Sequence, residues 1–110
     1  MSRLADQSCV PCKAGSLPLT QPEMAPLLRE LDAWSVVDGH HLEKTFELAD
    51  FAAALALLNR IAAIAEEQNH HPDLFLTWGR VGVKIWTHTI DGLSPGDFIF
   101  AAKCDAAAAA

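Results

Sequence analysis

Apolar and polar positions between residues 20 and 105 follow two rhythms, one of about 3.6 residues and one of about 2, and the switches between them mark the elements. Met24, Leu27, Leu28 and Leu31 fall at i, i+3, i+4 and i+7. They follow Thr20-Gln-Pro-Glu23, a capping box in which Thr and Glu satisfy orphan N–H groups reciprocally, with Pro22 in the first turn. This predicts a helix from about Pro22 to Leu31. Trp34 to Val37 reads as a short strand. Asp38-Gly39 reads as a type I′ turn, since both residues tolerate positive φ. His41 to Leu48 is the return strand. Its alternation turns Leu42, Lys44, Phe46 and Leu48 toward a core and His41, Glu43, Thr45 and Glu47 toward solvent.

Asp50 is placed to cap a second helix. Phe51, Leu55, Leu58, Ala62 and Ala65 make one apolar stripe, and Ala52, Ala56, Leu57, Ala63 and Ile64 add apolar surface on other sides. A helix apolar nearly all round is buried all round. One sheet covers only one side, so the remainder is expected to meet another helix or another subunit. Pro72 disfavours the helical conformation at His71, so this helix is expected to end there or just before. Leu74 to Trp78 is a third strand, Gly79-Arg80 a turn, and Val81 to Thr87 a fourth strand. Val81, Val83 and Ile85 face inward, and Lys84, Trp86 and His88 face the other way. Ser94-Pro-Gly-Asp97 opens a last helix with Ser at the N-cap and Asp at N3, followed by Phe98, Ile99, Ala102 and Lys103. The order α-β-β-α-β-β-α predicts an α+β, two-layer fold, a four-stranded antiparallel sheet covered on one face by helices.

The 110 residues suit one domain. Residues 1–19, punctuated by Pro11, Gly15 and Pro18, read as a flexible irregular arm; 20–105 are the domain; 106–110 are an alanine tail expected to fray. A hydrophobic share of 51% excludes a disordered chain. A net charge of −6 with no basic run argues against direct nucleic-acid or anionic-lipid binding. The N-terminus has no apolar signal region. The richest apolar stretch, Phe51 to Ala65, is broken by Asn59-Arg60 and falls short of the roughly 18 residues of a membrane span. The cytoplasm is the expected location. Cys9, Cys12 and Cys104 make no disulfide framework, and Cys9-x2-Cys12 lacks the second ligand pair of a structural zinc site. Reduced thiols on the arm are the plain reading.

Five histidines stand out by placement. His40 and His41 flank the hairpin turn and read as solvated. His70 and His71 sit where a helix breaks at a proline. Glu66 lies one turn before His70 on the same face, where a carboxylate can orient an imidazole and fix its tautomer. His88 ends the fourth strand, before Asp91-Gly92. Two histidines with Glu66 could form a metal set, but His70 and His71 are adjacent and diverge at a helix end, and HExxH spacing is missing. Composition and spacing alone lead to a candidate acid–base site.

The run Glu66-x3-His70-His71-Pro72-x5-Trp78-x9-His88-x8-Asp97 resembles the signature of the pterin-4a-carbinolamine dehydratases, also called 4a-hydroxytetrahydrobiopterin dehydratases. The resemblance extends over residues 20–105, and the Cys9-x2-Cys12 arm is similar to that of bacterial members. It implies the same element order and a hydro-lyase activity: loss of water from a 4a-hydroxytetrahydropterin, the by-product of aromatic amino-acid hydroxylases, to give quinonoid dihydropterin. By the match, His70 and His88 form the acid–base pair, and His71 binds and orients the pterin. Glu66 tunes or positions His70, and Pro72 fixes the turn between the two histidines. Thr87 offers backbone contacts. Trp78 belongs to core, rim or a stacking surface, and Asp97 either supports the site or only caps its own helix. The pterin is substrate, so no cofactor and no metal are implied. Expected partners are a second copy, as homodimer or homotetramer, and a functional link to an aromatic amino-acid hydroxylase, with no direct nucleic acid and no membrane. The alternative is a non-catalytic role on the same fold, as dimerisation cofactor of a transcription factor or as assembly chaperone of a carbon-fixing enzyme. The intact histidine set favours catalysis. A third reading is a thiol or zinc protein using Cys9 and Cys12.

Overall fold

The structure, a computed structural model, describes residues 4–10 and 15–109. Cys12, Pro11 and Ala110 lie outside the described residues. Helix α1 spans Gln21–Leu28, with the Glu23 carboxylate accepting from both the Thr20 N–H and the Thr20 hydroxyl at 2.9 Å. It is shorter than its apolar period predicts. Pro26 has no N–H to donate, and residues 30 and 31 donate only three residues back, to Leu27 and Leu28. Leu31 still packs against the core from this tightened turn.

Strands β1 (Ser35–Val37), β2 (His41–Glu47), β3 (Asp73–Thr77) and β4 (Arg80–Ile85) form one antiparallel sheet in the order β1-β2-β4-β3. In the β1–β2 turn both Asp38 and Gly39 have positive φ, 54° and 65°. The β3–β4 turn falls one residue earlier than expected. Thr77 pairs with Arg80, so Trp78-Gly79 forms the bend, and Gly79 takes φ 72°. The register aligns Leu42 with Ile85 and Phe46 with Val81, and these side chains are buried on the helix-covered face. His41, expected in solvent, is only 8% exposed because its ring is packed by His40 and Trp86.

Helix α2 spans Phe51–Gln68, capped by the Asp50 carboxylate accepting from Ala53 N–H. Its buried stripe is Ala54, Leu57, Ile61 and Ala65, not the one led by Phe51 and Leu55, which remain 43% and 39% exposed. Alanines on every side leave periodicity no contrast, so contact with α3 (Pro95–Ala109), β3 and β4 decides the face. The helix buried all round is instead α3 (Pro95–Ala109), where residues 96–102 and Cys104 are all inaccessible or nearly so. It is enclosed by α2, α1, β2 and a 3₁₀ turn at Leu4–Asp6. That turn belongs to the stretch read as a loose arm. Leu4 is buried, and Lys103 Nζ donates to the Ala5 carbonyl at 2.8 Å. The alanine tail expected to fray continues α3 to Ala109, with Ala107 and Ala108 against the core, as suits the strongest helix former. Among the described residues no helix is long and apolar enough to cross a membrane.

Candidate active site

Three local devices bring the histidines together. The first is the end of α2. Asn69 adopts the left-handed conformation (φ 51°, ψ 45°), His70 N–H donates to Ala65 O, and Asn69 N–H donates to Glu66 O. These two bonds make a Schellman motif, which turns the chain off the helix axis before Pro72 is reached. His70 therefore leaves the face it would share with Glu66. The carboxylate of Glu66 instead accepts from His71 Nε2 at 2.7 Å, on the exposed rim. The partner predicted for His70 belongs to its neighbour.

The second device is the start of α3. Asp97 is fully buried and uses its two oxygens for different tasks. Oδ2 accepts from Ser94 N–H and from the Thr87 hydroxyl, both at 2.8 Å, which caps the helix. Oδ1 accepts from His70 Nε2–H at 2.6 Å. One carboxylate thus caps its own helix and holds the His70 ring, where the sequence left a cap alone or site support as alternatives. Thr87 and Ser94 hydroxyls bond each other at 2.8 Å and complete the network. The edge of Phe100 meets the His70 ring, with centroids 6.1 Å apart. Since a carboxylate only accepts, Nε2 of His70 carries a proton and Nδ1 is left for a ligand.

The third device follows β4. Thr87 N–H donates to Gly92 O and Gly92 N–H to Thr87 O, closing a 3₁₀ turn, His88–Ile90, that holds His88 outward. The backbone of Thr87, expected to offer contacts to the pterin, has both its N–H and its carbonyl engaged within the fold.

A cavity of about 310 Å³ lies between these devices, lined by Cys9, Val10, Gln68, Asn69, His70, His71, Trp86, Thr87, His88, Thr89, Ser94 and Gly96. This is the lower end of the range for small-molecule sites. His70, His71, His88 and Thr87 meet there. Glu66 and Asp97 stand behind His71 and His70, and Pro72 follows the pair without lining the cavity. Trp78 is not brought to it. It is 70% exposed in the hairpin bend, in a separate cleft with Leu48 and Arg80, and β3 separates it from the histidines by about 17 Å at the usual rise per residue. Among the described residues no three His, Cys, Asp or Glu side chains are grouped to hold a metal ion.

Gln68, Gly96 and Asn69 were not singled out from sequence, and Cys9 was singled out only as a thiol on the arm. Gln68 Oε1 accepts from Cys9 N–H at 2.8 Å, and Cys9 Sγ–H donates to Gly96 O at 3.4 Å, so the N-terminal segment walls the cavity. Burial pushes the Cys9 thiol up, against the opposing pull of Lys103. Asn69, a residue tolerant of the left-handed conformation just before a His-His-Pro run, was the available signal for the helix end.

Comparison with known proteins matches residues 17–107 to the family model described as Pterin 4 alpha carbinolamine dehydratase. A Rubrobacter xylanophilus protein provisionally named a pterin-4-alpha-carbinolamine dehydratase is 51% identical over 105 residues, covering 96% of this chain and 98% of its own. An Alkaliphilus metalliredigens protein of the same provisional name is 44% identical over 106 residues, covering 96% of each. The crystal structure of a Brucella melitensis protein titled transcriptional coactivator/pterin dehydratase superposes with a TM-score of 0.78 at 37% identity, covering 83% of this chain and 98% of that one.

Proposed function

The chain belongs to the pterin-4a-carbinolamine dehydratase family and is a hydro-lyase of that kind; from this premise we propose that His70 and His88 act as base and acid on a 4a-hydroxytetrahydropterin held in the cavity between them. The observation that carries the reading is the hydrogen bond from His70 Nε2 to the buried Asp97, which leaves Nδ1 as the nitrogen free to act as base on a residue that lines the cavity. The C4a–O bond breaks with its electron pair on oxygen. His88 protonates that oxygen, so that water rather than hydroxide leaves. The N5 lone pair forms the C4a=N5 bond, and His70 Nδ1 takes the N5 proton. The product is quinonoid dihydropterin plus water. An imidazole titrates near neutral pH, which suits it to both transfers. The elimination changes no overall oxidation state, so this chemistry calls for no redox cofactor. His71, steadied by Glu66 at the rim, orients the pterin. The reading places the chain in the cytoplasm, supplied by an aromatic amino-acid hydroxylase.

The test is the ultraviolet decay of 4a-carbinolamine, generated by a hydroxylase, with and without the protein. Acceleration with quinonoid dihydropterin as product is expected; no acceleration by folded protein would overturn the reading.

A second role has one observation in its favour. Phe51 and Leu55 leave an apolar face of α2 uncovered. A homodimer or homotetramer packed through that face would bury it, and the Brucella protein's title joins coactivator to dehydratase.

A further inference from the structure

We propose that Trp86 is a positioning residue for His88, holding the imidazole by ring contact so that both of its nitrogens stay free for the substrate. The proposal rests on the reading of His88 as proton donor. Hydrogen bonds from ring nitrogens hold His70 to Asp97, His71 to Glu66 and His40 to Asp91. Among the described residues none reaches the ring of His88. What it touches is Trp86, with ring centroids 4.3 Å apart and planes at 49°. Trp86 is itself backed. The His40 and His41 rings lie 5.2 and 6.1 Å from the indole, and Lys84 Nζ stands 5.4 Å from its centroid. His40 also donates from Nε2 to Asp91 Oδ1 at 2.8 Å, three residues beyond His88. The hairpin tip therefore anchors the chain on both sides of His88, through Trp86 before it and Asp91 after it.

The chemistry favours such a hold. A residue that gives up a proton and regains one needs a nitrogen uncommitted in either state. A carboxylate partner would take one nitrogen and bias the tautomer. An aromatic face fixes the ring without taking either, and it tolerates neutral imidazole and attracts the cation. Trp86 lines the cavity beside His88, so the ring contact lies at the cavity wall.

The experiment compares Trp86→Ala and Trp86→Phe, each alone and with His88→Ala, by steady-state kinetics, thermal melting and NMR of the His88 ring protons. Loss of orientation should lower kcat of Trp86→Ala by about 10–100-fold with little change in KM. Trp86→Phe should recover most of that loss, and Trp86→Ala should cost nothing further once His88 is alanine. The His88 ring protons, shifted upfield by the indole, should move downfield in Trp86→Ala while the melting profile stays cooperative. An equal loss in the His88→Ala background, a change confined to KM, or unmoved ring signals would overturn the proposal. If the wild type dehydrates nothing, the functional reading fails, and the ring signals still decide the positioning.

Discussion

Replacing Asp97 by asparagine keeps the side chain's shape and removes one acceptor. The carboxylate now receives two donors at Oδ2, Ser94 N–H and Thr87 Oγ1–H at 2.8 Å, and one at Oδ1, His70 Nε2–H at 2.6 Å. An asparagine has one oxygen. Turned toward Ser94 and Thr87 it preserves the cap, and its NH₂ then faces His70. Turned the other way it sets NH₂ against two donors in a fully buried place, which is the costlier choice. The first orientation makes Nε2 of His70 an acceptor and moves the ring proton to Nδ1, the nitrogen proposed as base. General acid–base catalysis is worth about 10²–10⁴-fold, so a reversed tautomer should lower kcat by about 10²–10³-fold, or about 3–4 kcal/mol. All three bonds exchange a charged acceptor for a neutral amide, offset in part because no charge is then buried, so stability should fall by about 1–3 kcal/mol, a Tm decrease of about 5–15 °C. The assay is carbinolamine decay at a temperature where both proteins are folded, with ¹⁵N NMR of the histidine nitrogens to read the tautomer. A variant within threefold of wild type, with His70 still protonated at Nε2, would refute the reasoning and leave Asp97 as a helix cap alone.

Three further outcomes concern the scaffold. Asp105→Ala leaves the Lys44 ammonium, whose side chain is 10% exposed, with the Asp32 carbonyl and an Asp32 carboxylate 4.0 Å away, and orphans the Trp34 indole N–H, so denaturant unfolding should show a loss of about 1–3 kcal/mol; a loss within experimental error would contradict the pairing. Burial pushes the Cys104 thiol far up, so at neutral pH it should resist maleimide until denaturant is added, and rapid labelling of native protein would contradict its place in the core. The Glu23 carboxyl is held below the usual carboxylate range by the Thr20 N–H and then by the Thr20 hydroxyl. Its contribution to α1 is therefore full above the unfolded value and lost as pH falls through the folded one. Glu23→Gln should narrow its stability difference from wild type in acid, and a difference independent of pH would exclude the capping bond.

The elements could be read from sequence wherever a local rule set them. The Thr20–Glu23 box, the Asp38-Gly39 turn, the Val81, Val83 and Ile85 alternation and the Ser94 start of α3 each rest on neighbours within four residues. What escaped depends on distant surfaces. Nothing in the periodicity of α2 separates Leu57 from Leu55, because apolar residues lie on every side of the helix, and α3 and the sheet make the choice. Burial of α3 on all sides depends on a 3₁₀ turn some ninety residues earlier in the chain. Within the site, the spacing of His70, His71, His88 and Asp97 was visible, but the pairing was not. Glu66 and His70 are helical neighbours only if the helix continues, and one left-handed residue, Asn69, hands the carboxylate to His71. Trp78 shows the opposite failure: fixed spacing from the histidines in sequence, with a strand's length between them in space.

The most direct test of the acid–base account is carbinolamine dehydration by His70→Ala, His88→Ala and the double variant, each checked for a native melt. If the two rings act in one step on opposite ends of the breaking system, each single variant should lose about 10²–10⁴-fold, and the double should lose less than the product of the two. Wild-type rates in either single variant would contradict the assignment.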